Sequence, residues 1–243
     1  MATTKKDELI QIKPIEMQTV ELRIVGDSPI IMHAWDAKAK RQILEKELNI
    51  TKTNAREAKS PVGDFIASMY WLTPMPESLD QEGLDTAIAN GAKFGFPVTA
   101  FKQAAISAAY RMGWTKDKMS LRGAFFIKGE SDGHYAGDLV IAPDGKSINI
   151  VPNVFKKNEM IAITSDAPAM REDMVRVGMG AADIRYRGEF CNWEAKMTVM
   201  FNKNGQYSLE QIINIINAGG SVCGVGEWRP EKDGQYGMFH VTN

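Results

Sequence analysis

The segment from Ser208 to Val241 places the tightest limits on the fold. Ser208 and Gln211 form a capping box, in which each side chain satisfies a backbone donor of the other, and a helix follows through Asn217. A loop from Ala218 to Gly237 then carries glycine at 219, 220, 224, 226, 234 and 237, and Met238–Val241 reads as a closing strand. Glycine permits positive φ and close backbone approach. Trp228, Arg229 and Lys232 stand among these glycines, and a guanidinium beside an aromatic ring suits phosphate and base contact. Two readings stay open. In one, the amides at Gly224 and Gly226 with Arg229 and Lys232 track a phosphate backbone while Trp228 stacks on a base. In the other, the glycines serve a helix end and a bend, with Trp228 on the core and Arg229 paired to Glu227 or Glu231. The loop is not a P-loop, since no Gly-Lys-Ser/Thr follows a strand.

The rest of the chain supplies the partners of this segment. Residues 19–25 alternate apolar and charged side chains and predict a strand. Val98–Met112 keeps one apolar face and ends at Gly113, which predicts a helix. Strands are expected at 121–127 and at 193–201, where Trp193, Ala195, Met197, Val199 and Phe201 share a face. The order is β-α-β-β-α-β, which predicts an α+β fold with a ferredoxin-like (RRM-like) core. Two large insertions interrupt it, at about 26–97 and about 129–190. Residues 1–18 are expected to be a flexible tail, and 19–243 one domain with those insertions. Short strands are expected at 138–141 and 147–151, and residues 152–188 read as irregular.

Composition bounds the partners. The 243 residues are 44% hydrophobic, enough for a sizeable core, and carry a formal net charge of -1. A dedicated duplex-DNA binder is basic overall, so nucleic-acid binding here must rest on local patches. Cys191 and Cys223 form no metal spacing and no disulfide framework. No secretory signal or membrane-length apolar run is visible, so a cytoplasmic protein is expected. There is no nucleophile elbow, zincin helix or dinucleotide fingerprint, so neither metal nor cofactor is expected.

Three further patches are candidates. Arg185 and Arg187 lie two apart and share a strand face, with Tyr186 on the other, and Arg176 is expected to extend that face. Adjacent guanidiniums suit a phosphate chain; the competing reading is a solvated face paired with Asp183 and Glu189. Asp36–Lys59 holds seven Lys/Arg against four Asp/Glu. It is expected to start as a helix capped by Asp36, acting either as a basic arm or as a solvated helix. His33, His134 and His240 have no recognisable partner motif, and none is expected to be catalytic.

The helix–Gly-loop–strand arrangement at 208–241 resembles the RAMP superfamily, RRM-like proteins that form backbone and processing subunits of CRISPR complexes. The resemblance implies a loop that contacts RNA and subunits that assemble side by side. Ser28–Lys40, Ala182–Phe190 and Gly224–Phe239 are also similar to recurrent patches of a phage and prophage protein family, which implies a phage origin and no particular chemistry. These readings together predict a non-enzymatic protein that oligomerises along single-stranded RNA or DNA. A metal-independent endoribonuclease using His33 or His240, and a structural or host-interaction protein without nucleic acid, are the alternatives.

Overall fold

The computed structural model describes residues 13–35, 37–50, 59–129, 131–132, 138–151, 159–178 and 180–242. The first residues of the expected tail, the Asp36 cap, His134 and residues 51–58 of the basic segment lie outside them. The described residues form a mixed α+β structure with antiparallel sheets and six α-helices.

The main sheet is built around β1 (Met17–Gly26) and β11 (Glu194–Asn202), which pair along nearly their whole length, from Met17↔Asn202 to Val25↔Glu194. β12 (Phe239–Thr242) pairs with the free side of β1, and β4 (Phe125–Lys128) with the far side of β11. The strands therefore run β12–β1–β11–β4, all antiparallel. The far edge of β11 is shared: β4 takes residues 198–201, while β8 (Glu159–Thr164) takes 194–195 and carries β3 (Phe94–Pro97) and the two-residue β5 (Ser131–Asp132). Both expected insertions thus add strands to the sheet.

Alternation decides which face is covered. Leu22 and Ile24 of β1, Ala195, Met197, Val199 and Phe201 of β11, and Phe125 and Ile127 of β4 are buried on one face. Helices α4 (Val98–Arg111) and α6 (Leu209–Ala218) pack there, burying Phe101, Ala105, Ala108, Ile212 and Ile216. Phe101 sits at the centre, its ring centroid 5.4 Å from Phe239, 6.0 Å from Phe96 and 6.5 Å from Trp193. Edge-on aromatic contacts of this kind add stability beyond area burial. Glu21, Arg23, Lys196 and Lys128 occupy the opposite face.

Helix ends follow local chemistry. Ser208 and Gln211 make both bonds of the capping box. Ser60 caps α2 (Pro61–Ser68), whose first residue is proline, and Asp80 caps α3 (Gln81–Ala89). α1 (Ala37–Glu47) takes up the start of the basic segment. The expected strand at 121–127 begins later: Asp117 accepts from Ser120 N at 2.9 Å and starts the short helix α5 (Lys118–Arg122), which buries Leu121, and the strand runs only from Phe125.

The largest departure lies at 152–188. β9 (Ala169–Val177) and β10 (Ala181–Phe190) form a long antiparallel ribbon, joined at its base to β2 (Ile30–Met32) in a separate three-stranded sheet. Both ribbon faces carry charged residues, so no hydrophobic alternation announces it. A third, two-stranded sheet pairs β6 (Asp138–Ile141) with β7 (Ile148–Val151), close to the expected strands.

Candidate nucleic-acid interface

The glycine-rich loop is folded tightly onto β2 and the core. α6 runs directly into a π-helical turn at Gly219–Cys223. Val225 N then bonds Gly237 O at 2.9 Å, Glu227 N bonds Ile31 O at 3.0 Å, and Gly237 N bonds Pro29 O at 2.8 Å. Gly224 and Gly226 have φ of 66° and 81°. A Cβ on Gly226 would sit 2.5 Å from the Ile31 carbonyl oxygen, and one on Gly224 would sit 2.7 Å from Pro230 Cδ. The protein's own packing therefore accounts for both glycines.

The charged residues of the loop point in different directions. Arg229 turns back on the loop: Nη1 donates to Gly226 O at 2.9 Å, and Nε and Nη2 donate to Glu231 at 3.2 and 3.1 Å. Glu231 also receives Arg111 at 3.1 Å. Trp228 is 38% exposed. Its φ of 51° is uncommon for a bulky residue, and Tyr236 N holds its carbonyl at 3.0 Å. Lys232 is exposed on a short 3-10 turn and makes no ion pair among the described residues.

Strand register separates the three arginines. Arg185 faces Asp173 across the ribbon, Arg187 faces Arg171, and Arg176 faces Ala182. Directly opposed residues share a face and successive ones alternate, so Arg176 lies on the face of Ile184 and Tyr186, opposite Arg185 and Arg187. The expected extension of one arginine face does not form, and the arginines lie outside the main sheet. Arg187 is 2% exposed. Its Nη1 lies 3.0 Å from Asp173 Oδ2 and its Nη2 3.5 Å from Glu227 Oε2. It is thus an internal tie between ribbon and loop, with no open side for a phosphate. Arg171 makes a second tie, bonding Asp173 and Glu189 at 2.9 and 2.8 Å and stacking on Tyr236, 4.5 Å from the ring centroid.

Arg185 remains accessible, in a cleft that has a clear structural origin. β2 leaves the ladder after Met32 because Ala34 N bonds Ser68 O of α2 at 2.8 Å. Residues 33–35 splay away from β10, whose edge at 183–187 extends past its register with β2. The resulting wedge, about 400 Å³, is lined by His33, Trp35, Lys59, Asp64, Arg185 and Tyr186, among others. Lys59 reaches Asp183 at 2.6 Å and also bonds Ile184 O. The Lys59 ammonium, aided by Arg185, holds the Asp183 carboxyl below the usual carboxylate range.

His33 joins this wedge to a second cavity of about 230 Å³, lined by Gly224, Gly226, Glu227, Arg229 and Glu231. Arg185 and the loop residues Gly224, Gly226 and Arg229 are thereby brought around one histidine, whereas Arg187 lies behind the surface and Arg176 on the other ribbon face. The sequence carries no signal for Trp35, and Lys59, the last residue of the candidate basic segment, is singled out from it only because tertiary structure sets it beside Trp35 and Arg185. The histidine partners were equally hidden: His33 Nδ1 lies 3.5 Å from Glu227 Oε1, and His240 Nδ1 lies 2.7 Å from Asp27 Oδ1. Contact with His33, then the Arg187 charge, keeps the Glu227 carboxyl below its usual range despite desolvation. Among the described residues, no group of three or more His, Cys, Asp or Glu is placed to hold a metal ion, and no helix is long and apolar enough to cross a membrane.

No family model and no curated protein matches the sequence. Among solved structures, the chain is similar to that of Cmr6 from Pyrococcus furiosus, at 10% identity and a TM-score of 0.38, over 94% of this chain and 100% of that one. At those values the likeness carries no argument about activity or partners.

The two neighbouring arginines should separate in stability measurements. Among the described residues, Arg187→Ala leaves Asp173 with Arg171 alone and Glu227 with His33 alone, and should lower unfolding stability by about 3 kcal/mol in denaturant titration, as for a broken buried pair. Arg185→Ala, at a partly exposed pair, should cost under about 1 kcal/mol. Glu227 sets a pH dependence. Because its folded pKa is depressed, its contribution is present above the unfolded carboxylate range and is lost as pH falls through the folded value. Glu227→Gln should therefore be less stable than the parent near neutrality, and the gap in melting temperature should narrow as pH drops below about 4.

Proposed function

We propose that this protein is a non-enzymatic binder of single-stranded nucleic acid that assembles side by side along the strand. The observation that carries the reading is the meeting of Trp35, Lys59 and Arg185 in one cleft that abuts the glycine-rich loop at His33. An aromatic surface beside cationic groups is how sequence-tolerant single-strand binding is built. Arg185 pairs with Asp183 through Nε, so the forked end of its guanidinium is available to a phosphate. Lys232 and Trp228 extend the contact surface along the loop.

We read the core as ferredoxin-like, since the order β12–β1–β11–β4 with α4 and α6 on one face is what β-α-β-β-α-β connectivity would give. Assembly between copies is favoured by the outer ribbon face. There Met170, Met174 and Ile184 are exposed, Met174 by 76%, beside Arg176.

Binding of a labelled single-stranded oligonucleotide should weaken as salt rises. Three phosphate contacts, from Lys59, Arg185 and Lys232, correspond to about a 100-fold loss per tenfold increase in salt, at ~0.7 per phosphate. Arg185→Ala should flatten that slope by about 0.7. Sedimentation should show larger species when oligonucleotide is added. Salt-insensitive or absent binding to both RNA and DNA would sink the proposal.

The carboxylate partners of His33 and His240 favour one competing reading, a metal-independent endoribonuclease, since an oriented imidazole is what general acid–base chemistry requires. It requires RNA cleavage without added metal, slowed by His33→Ala or His240→Ala. The non-enzymatic proposal expects intact RNA with all three proteins.

A further inference from the structure

We propose that the wedge between residues 33–35 and the edge of β10 is a nucleobase site, with Trp35 as its stacking surface and Arg185 and Lys59 holding the flanking phosphates at its mouth. This deepens the single-strand binding reading and rests on it.

Four observations place a base, and not a phosphate, inside. The first is charge. Lys59 and Arg185 face Asp64 and Asp183 across the same lining, so the interior has no net formal charge with His33 neutral. Asp183 is held in its charged form by Lys59. A phosphate driven into the wedge would meet those carboxylates, whereas a neutral base would not. The second is the aromatic surface. Trp35 is 72% exposed, the largest exposure of any tryptophan among the described residues. An indole so far out of the core loses little by stacking, and every base offers it a π-face.

The third is the backbone edge. Gly188 N points to the wedge side, where Ser68 Oγ accepts it at 2.9 Å. Strand alternation aims the N–H and C=O of Ile184 and Tyr186 the same way. Lys59 already bonds Ile184 O there, so the wall carries donors and acceptors that can meet a base edge. The fourth is size. About 400 Å³ falls in the range of small-molecule sites and well short of a folded partner.

Trp35 also borders a neighbouring hollow with Ile43 and Ile50. Self-association through Trp35 is therefore the outcome that competes with base stacking. The wedge differs from the loop contact at Trp228, which lines neither this cleft nor the adjoining cavity.

The test compares a short single-stranded oligonucleotide with an abasic backbone of the same length, using the full chain. The parent should bind the base-bearing strand at least about 10-fold more tightly, within the range measured for a stacked base. Trp35→Leu should lose that preference while keeping its affinity for the abasic strand and its melting temperature. Trp35→Phe should retain most of the affinity, yet lose the tryptophan fluorescence quenching that the parent shows on binding the base-bearing strand. Equal binding of both strands by the parent overturns the base site and leaves backbone binding intact. Absence of binding to either strand overturns the binding reading and this inference with it. A change in sedimentation of free Trp35→Leu with unchanged oligonucleotide affinity overturns the proposal in favour of self-association.

Discussion

A guanidinium that is 2% exposed must have its charge balanced from within the protein. Arg187 meets that demand with two carboxylates from different parts of the chain. Asp173 comes from the opposite strand of its own ribbon, and Glu227 from the glycine-rich loop. The two carboxylates tie ribbon and loop to the same guanidinium, which fixes their relative position. One donor, Nε, has no hydrogen-bond partner among the described residues, so the charge is balanced while one buried N–H stays unsatisfied. Arg171, stacked on Tyr236 and bonded to Asp173 and Glu189, reinforces the same seam. Glu227 in turn faces His33, at the boundary between the two cavities. The geometry of the candidate site therefore follows from one buried ion cluster.

The wedge itself arises from a competition for backbone partners. Continuing the β2–β10 ladder past Met32 would close the space where Trp35, Lys59 and Arg185 meet. Instead Ala34 N goes to Ser68 O, Ser68 Oγ takes Gly188 N, and Glu227 N takes Ile31 O. Each polar group remains bonded, as burial requires, yet the strand is turned away from its neighbour. The loop glycines belong to the same account. At Gly226 the carbonyl of Ile31 occupies the space a side chain would need, so glycine there lets the loop lie against β2. The glycines at 224 and 226 thus reflect packing within the protein.

Much of the architecture was legible because its signals are local. Capping residues marked the start of α6, and period-two alternation marked β1 and β11. A continuous apolar face marked α4. The 169–190 ribbon was not legible, since charges on both faces erase the alternation that announces a strand. The start of the strand expected at 121 was misplaced because the Asp117 cap gives Leu121 to a helix. Arg185 and Arg187 were correctly read as neighbours on one face, but periodicity does not say what covers that face. Arg176 was assigned to their face, although the hairpin register pairs it with Ala182 and turns it to the other side.

From the amino-acid order alone came the α+β class, the sequence of the main helices and strands, and a loop whose backbone must approach others closely. These depend on neighbours within a few residues, where propensity, capping and periodicity act. Tertiary structure decided which arginine is buried, which is open, and which residues share a cleft. Those outcomes turn on register and on pairs far apart in sequence, such as Trp35 with Arg185 or His33 with Glu227. The loss of solvent that makes a charge costly, and its pairing necessary, exists only once those distant segments are packed together.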